Sequence, residues 1–451
     1  MQTQELAAFA AKLQYGDLSE ATVHAAKQCF LDWLANAVRG SQSLSTKLIE
    51  EVLVREKCVA EDATVFTAEP YRTSAMQAAL VNGMASHSLD YDDLHNASII
   101  HLATVVMPAA LAVAERDHLS GRELVAAIVA GYEVGARVGE TVNPRSYYFW
   151  HTTGTAGTFG AAAAAGRLLG LDETQMVACL GTAGTQAAGL WEFLVDGAMS
   201  KTLHAGKAAM HGILAADLSR AGFTAAKRIL EGDKGFCKAM DPQCDLGKLT
   251  AGLGAGYKID DNSFKPYACC KHCHPAINAM LDLCAEHALE ASRIASIAVE
   301  TNDTAECLVN NPQPQTPYGH KFSLHYCLAA AARYGQVGLD EFTEEKIADA
   351  EAQRLMQTVR VSVSEALQKE FLQNPEKWSV KLSIETKDGA FYSKFIPYPK
   401  GDPQNPVSYE ESEEKFRAMT RPVYDEARIE ALLRTVRTLE TIENIGTAFF
   451  A

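Results

Sequence analysis

Gly160-Ala161-Ala162-Ala163-Ala164-Ala165-Gly166 reads as a helix with almost no side-chain bulk, and that decides what can surround it. Alanine is the strongest helix former, and a surface of alanine and glycine lets neighbouring helices approach closely in a dense core. Nothing in the stretch can react, so its role is structural. The same texture continues outward in both directions. From Leu6 to about Gly222 apolar residues recur at three- and four-residue spacing, with hardly any β-branched alternation. Ser120-Gly-Arg-Glu123 and Asp172-Glu-Thr-Gln175 are capping boxes that open predicted helices over 124–138 and 176–183. The longest apolar run, 102–114, is interrupted by Pro108 and falls short of the roughly 20 residues a membrane span needs, so a buried helix is expected there.

Beyond Lys258 the period changes. Residues 294–300 and 359–363 alternate as strands do, and 379–384 followed by Lys387-Asp388-Gly389 and 390–392 predicts a β-hairpin. Helical spacing returns over 276–289 and 322–333, between these strands. After Pro397-Tyr-Pro-Lys-Gly-Asp-Pro403 the chain is helical again, over 409–419 and 425–439. The expected fold is therefore mainly α: a large all-helical domain from residues 1–264 and 405–451, with residues 265–404 inserted as a smaller α+β lid domain. No internal repeat and no low-complexity segment is present.

At 451 residues the chain exceeds what one hydrophobic core normally serves, which agrees with two domains. Its formal charge of −15 opposes binding to nucleic acid or to anionic membranes, so an anionic substrate needs a locally basic pocket. Met1-Gln2-Thr3-Gln4-Glu5 lacks the basic flank and apolar run of a signal peptide, and a cytoplasmic location is expected. The eleven cysteines, an odd number, read as free thiols in a reducing compartment.

Chemistry concentrates at a few places. The segment from His87 to His101 packs Asp90, Asp92 and Asp93 with His87, His95 and His101 into fifteen positions, an arrangement suited either to proton transfer or to a solvated loop. His151-Thr152-Thr153-Gly154-Thr155-Ala156-Gly157 resembles a helix N-terminus able to hold a carboxylate, or a turn with an incidental histidine. Lys201, at the start of another small-residue helix, is a substrate-binding cation or a snorkelling lysine. Phe264-Lys265-Pro-Tyr-Ala-Cys269-Cys270-Lys271-His272-Cys273-His274-Pro275 offers thiols and imidazoles. It lacks the separated knuckles of a structural zinc site, and basic residues facing an interdomain cleft are the preferred reading. Tyr326 is a hydroxyl donor to a site or a buried structural tyrosine. Gly252-Leu-Gly254-Ala-Gly256 follows no strand and opens no helix, so it is not a dinucleotide loop.

Taken in order, several blocks resemble the MmgE/PrpD family nearly end to end. They are Cys29-Phe-Leu-Asp32-Trp-Leu-Ala35, Val81-Asn-Gly-Met-Ala-Ser-His87-Ser-Leu-Asp90-Tyr-Asp92-Asp93, Pro108 to Glu115, Gly206-Lys-Ala-Ala-Met-His-Gly212, Glu231-Gly-Asp-Lys-Gly-Phe236, Phe264-Lys-Pro-Tyr267 with His274-Pro275, and Lys321-Phe-Ser-Leu-His-Tyr326. The resemblance implies a homodimer with no metal or organic cofactor, acting on small di- and tricarboxylates bound between its domains. It places active-site residues at Asp90, His101, His151, Lys201, Lys265 and Tyr326, with His274 nearby.

The chemistry such enzymes share is proton transfer beside a carboxylate, which builds negative charge that cationic neighbours must hold. Lys201, Lys265 and His151 are the expected clamp, His101 the general acid/base, Asp90 its orienting or proton-sharing partner, and Tyr326 a donor to a leaving hydroxyl or carboxylate. A hydro-lyase of the 2-methylcitrate dehydratase type is the first expectation. A cis-aconitate decarboxylase-like or iminodisuccinate epimerase-like enzyme is the alternative, and a non-catalytic carboxylate-binding protein a further one. Two departures bear on the substrate. Leu94 stands where a threonine often follows the paired aspartates, and His101-Leu102-Ala103 replaces the usual His-Pro-(Gly or Ser).

Overall fold

The computed structural model describes residues 1–54, 58–374 and 376–450. The alanine stretch lies inside the helix Ala156–Leu168, which is buried along nearly its whole length. It packs against the helices Gly121–Val142, Ser200–Arg220 and Ala103–Arg116. The glycines set how close these helices come: a Cβ on Gly160 would stand 2.7 Å from the Gly131 carbonyl oxygen, so only hydrogen fits the crossing. The same device presses Ser200–Arg220 onto Ala75–Ser86, where a Cβ on Gly206 would collide with the Leu80 carbonyl. That second contact matters for function, because one of these helices carries Lys201 and the other ends at the His87–His101 loop.

Both predicted capping boxes form, and their helices run longer than expected, over Gly121–Val142 and Glu173–Gly184. Pro108 sits within Ala103–Arg116, a helix buried from Ala103 to Glu115. No described helix is long and apolar enough to cross a membrane. The helical expectation fails over one short hairpin. Ala63–Val65 pairs antiparallel with Tyr71–Thr73, and the buried Glu115 accepts from the Thr64 amide at 2.6 Å and its hydroxyl at 2.7 Å. Strands of three residues carry too little alternation to be read from sequence.

The second layer centres on a four-stranded sheet. Its order is Val359–Val363, Ile294–Thr301, Val380–Thr386 and Phe391–Ile396, with the first pair parallel and the others antiparallel. Along Val380–Thr386 alternate residues are buried, as a sheet with one covered face requires. The helices His274–His287 and Ala350–Thr358 lie against the sheet, and Leu324–Tyr334 packs on both of them.

Two apolar cores result. One draws on residues 6–259 and 416–449, the other on residues 268–396. The final helices, Tyr409–Thr420 and Glu426–Arg437, lie on Glu20–Gly40 and place Phe416, Ile429 and Leu433 in the first core. A third, smaller apolar cluster of Leu94, Ile99, Tyr147, Trp191, Phe193, Phe371 and Trp378 bridges residues of both layers. It forms one wall of the cleft described next.

Candidate active site

The loop that leaves Ala75–Ser86 turns twice before entering Ala103–Arg116. Asp90 and Ile99 both take left-handed backbone angles, with φ of 55° and 51°. For a β-branched isoleucine that conformation is strained by roughly 1–3 kcal/mol, and such strain is found where a site must hold an unusual shape. The surroundings hold it. Thr152 donates its hydroxyl to the Ile99 carbonyl at 2.6 Å, and the His95 amide donates to the Ile100 carbonyl at 2.9 Å. Asp93 caps the next helix by accepting from the Ala103 amide at 3.1 Å, and accepts also from Tyr132 and Asn262. Burial pushes its carboxyl up to about 8, with those donors pulling it back. Asp93 is thus a fastening of the loop, and so is His95, whose ring meets Ser98 at 2.9 Å.

Asp90 faces two cations. Lys201 Nζ lies 2.7 Å from Asp90 Oδ1, and Lys265 Nζ lies 3.2 Å from the same oxygen while donating to the Asp90 backbone carbonyl at 2.9 Å. All three side chains are buried. Burial alone would raise the Asp90 carboxyl, but the two ammonium groups outweigh it and hold the group well below the usual carboxylate range. Lys415, from the helix Tyr409–Thr420, fixes the ensemble from behind. Its Nζ reaches Asp32 Oδ1 at 2.8 Å, the Tyr91 carbonyl at 2.8 Å and the Lys265 carbonyl at 3.0 Å.

The carboxylate beside His101 is Asp92. Its Oδ2 lies 2.7 Å from His87 Nδ1 and 3.1 Å from His101 Nδ1, the second contact being in ion-pair range but off the line of a good hydrogen bond. The expectation that Asp90 orients His101 is corrected here: Asp90 is committed to the lysines, and its neighbour two residues on takes the imidazole. Burial lowers the His101 imidazole, with Asp92 opposing, and lowers His87 to about 4. Behind them, His151 stacks on His87 with ring centroids 5.4 Å apart. Its Nδ1 meets His204 Nδ1 at 3.2 Å. His151 therefore supports the histidine layer and does not join the lysine clamp.

Asp90, His101, Lys201 and Lys265 line one narrow cleft, with a free volume of about 20 Å³, together with Leu94, Ile99, Trp191, Cys270, Lys271, His272, Phe322 and Trp378. Lys271 is held by Asp402 at 2.8 Å, and His272 stacks on Trp378 with centroids 4.1 Å apart. Two expected site residues lie elsewhere. The Tyr326 hydroxyl donates to the Glu341 backbone carbonyl, and its ring packs on His320 and Phe342 in the second core, so it is the structural tyrosine of the two readings. His274 opens a helix beneath the cleft floor, its Nε2 3.3 Å from the Cys269 carbonyl. Asp92, His87 and His272 were present in the sequence clusters, but spacing alone assigned them no role.

Among the described residues, two groups of side chains could hold a metal ion. The ligand atoms of His87, Asp92 and His101 lie within 4.8 Å of one another, as do those of Cys269, Cys273 and Cys327. In the first group His87 and Asp92 are hydrogen-bonded at 2.7 Å, and His101 stands in ion-pair range of the same carboxylate oxygen.

Two lysines on one carboxylate and an imidazole beside another thus meet around one buried cleft. Residues 4–247 match the MmgE/PrpD N-terminal domain and residues 267–441 the MmgE/PrpD C-terminal domain. The chain belongs to the MmgE/PrpD family. It is 28% identical to a cis-aconitate decarboxylase-like protein of Aspergillus oryzae, covering 98% of this chain and 95% of the relative. It is 27% identical to the cis-aconitate decarboxylase of Aspergillus terreus, over 98% and 94%. With the human cis-aconitate decarboxylase the identity is also 27%, over 96% and 90%. With relatives of that kind along its whole length, the chain is a lyase.

Proposed function

We propose that the chain is a carboxy-lyase that releases CO2 from a small unsaturated tricarboxylate of the cis-aconitate kind. The observation that carries this reading is the clamp of Lys201 and Lys265 on a single oxygen of Asp90, set in one cleft with the Asp92-supported His101. In cis-aconitate the methylene carboxylate is one bond from a carbon–carbon double bond. When its C–C bond breaks, the electron pair moves across that double bond to the carbon bearing the far carboxylate. CO2 leaves, the double bond shifts to the former methylene carbon, and the far carbon takes one proton. Lys201 and Lys265 hold the carboxylate into which charge is drawn, and His101 supplies the proton. The apolar wall of Leu94, Ile99, Phe322, Trp191 and Trp378 favours conversion of a charged carboxylate into neutral CO2.

The relatives that match along the whole chain are cis-aconitate decarboxylases, which favours this reading over a hydro-lyase. Purified protein supplied separately with cis-aconitate, 2-methylcitrate and iminodisuccinate tests the reading. CO2 release is expected from cis-aconitate, and in D2O the product should carry one deuterium at the carbon beside the remaining far carboxylate. Water loss from 2-methylcitrate with no CO2 from cis-aconitate would overturn it.

A further inference from the structure

Three thiols meet next to the cleft-lining run of Cys270, Lys271 and His272. Cys269 ends the loop that follows Lys265, Cys273 closes the turn Lys271–Cys273, and Cys327 comes from the helix Leu324–Tyr334. Their sulfur atoms lie within 4.8 Å of one another, and all three residues are fully buried. Three thiolates around one zinc ion, with Zn–S bonds of about 2.3 Å and tetrahedral angles, stand roughly 3.8 Å apart. The cluster is thus already close to coordination geometry, with only small side-chain adjustments needed.

A second, independent observation concerns His274, next in sequence to Cys273 and also fully buried. Its Nε2 lies 3.3 Å from the Cys269 carbonyl, which fixes the N–H on that nitrogen. The other nitrogen, Nδ1, is buried and has no hydrogen-bond partner among the described residues. A metal-binding histidine is commonly arranged in this way, one ring nitrogen donating to a backbone carbonyl so that the other presents its lone pair. A buried group of uncharged thiols does not need a histidine arranged in this way, because free cysteine packs as a small apolar residue.

We propose that Cys269, Cys273 and Cys327 bind a thiophilic divalent ion of the zinc type as a structural site, with His274, whose ring nitrogens lie outside the 4.8 Å group, turning in as the fourth donor. The spacing of Cys269 and Cys273 alone gave no reason to expect it, because the third thiol comes from a helix more than fifty residues further on. Binding exchanges thiol protons for the metal: each thiol that enters as the thiolate releases one proton, and the ion keeps its oxidation state. Cys270, Lys271 and His272 lie between two of the ligands and line the cleft, so the ion would brace the wall that faces the substrate.

The full-length protein, purified without chelator, should carry about one equivalent of zinc per chain by elemental analysis. After chelation it should take up Co2+ with a thiolate-to-cobalt charge-transfer band and show a lower thermal midpoint. Cys273→Ser and Cys327→Ser should each lose the zinc and the cobalt band, while Cys244→Ser, outside the cluster, should keep both. Should a variant fail to fold, cobalt and zinc titration of the chelated wild-type protein decides alone. No stoichiometric zinc together with no cobalt band, or a disulfide joining two of these cysteines in the purified protein, would overturn the proposal. Full metal content in both cluster variants would overturn it equally.

Discussion

Asp92 stands beside His101, its Oδ2 lying 3.1 Å from the imidazole Nδ1, while Asp90 two positions earlier is held by Lys201 and Lys265. Proton chemistry and anion binding are thus divided between two aspartates of one loop. Replacing each by asparagine should separate them. Asp92→Asn keeps the shape but removes the charge that stabilises an imidazolium, so kcat should fall by about 10²–10⁴-fold with little change in KM. Asp90→Asn leaves two buried ammonium groups without their carboxylate, which costs about 3–5 kcal/mol of stability and should appear as an earlier denaturation midpoint. Equal kinetic and stability losses in both variants would show that the division is wrong.

Charge bookkeeping in the cleft leads to a second expectation. Lys201 and Lys265 are matched by Asp90 and Asp92, so these four groups leave no positive charge over for a tricarboxylate. The imidazoles can supply it. Burial lowers His87 to about 4 and His272 to about 3, and lowers His101 as well, so the free protein holds them neutral at pH 7. A bound polyanion favours their charged forms and raises their pKa values, so binding should take up about one proton. The sign follows: affinity rises as pH falls from 8 towards 6. Calorimetry of an unreactive tricarboxylate in two buffers of different ionisation heat measures the uptake directly, and zero uptake would remove the histidines from charge balance.

Tyr326→Phe provides the contrasting case. The hydroxyl donates to the Glu341 carbonyl inside the second core and takes no part in the cleft. Its removal leaves a buried carbonyl unpaired, with a cost of about 1–3 kcal/mol in stability. Turnover at a temperature where the variant is folded should stay within about twofold of the parent, far from the 10²-fold or greater loss a general acid would show. A large fall in kcat would return Tyr326 to the mechanism.

What could be read from the sequence was what local physics determines. The alanine helix 156–168, the capping boxes at Ser120 and Asp172 and the strand at 294–301 each follow from periodicity or end chemistry within a few residues. The loop from His87 to His101 is different. It turns through left-handed residues at Asp90 and Ile99, so no fixed period says which carboxylate faces which partner, and Asp90 and Asp92 exchanged roles. The hydroxyl of Tyr326 was equally undecided, because a helix face fixes a side chain's direction but not the carbonyl that meets it. Lys201 and Lys265 were legible for an energetic reason: in a chain of net charge −15, lysines next to apolar surface require a specific anionic partner.

Leu94 is the position most able to tune the substrate. Its backbone is pinned by a two-way bridge to Ser263, at 2.9 and 2.8 Å, so a side-chain change there leaves the loop in place. The side chain is buried among Ile99, Tyr147, Trp191 and Trp378 and lines the cleft. A leucine there presents methyl groups to the substrate, whereas threonine presents a hydroxyl that must find a partner. Leu94→Thr should cost about 2–4 kcal/mol in stability, from lost apolar burial and a partly satisfied hydroxyl. Pocket contacts of one or two methyl groups are worth about 1–3 kcal/mol in discrimination. The ratio of kcat/KM for methyl-substituted cis-aconitate to that for cis-aconitate itself should therefore fall by about tenfold or more in the variant. An unchanged ratio would mean that the substrate does not reach the wall formed by Leu94.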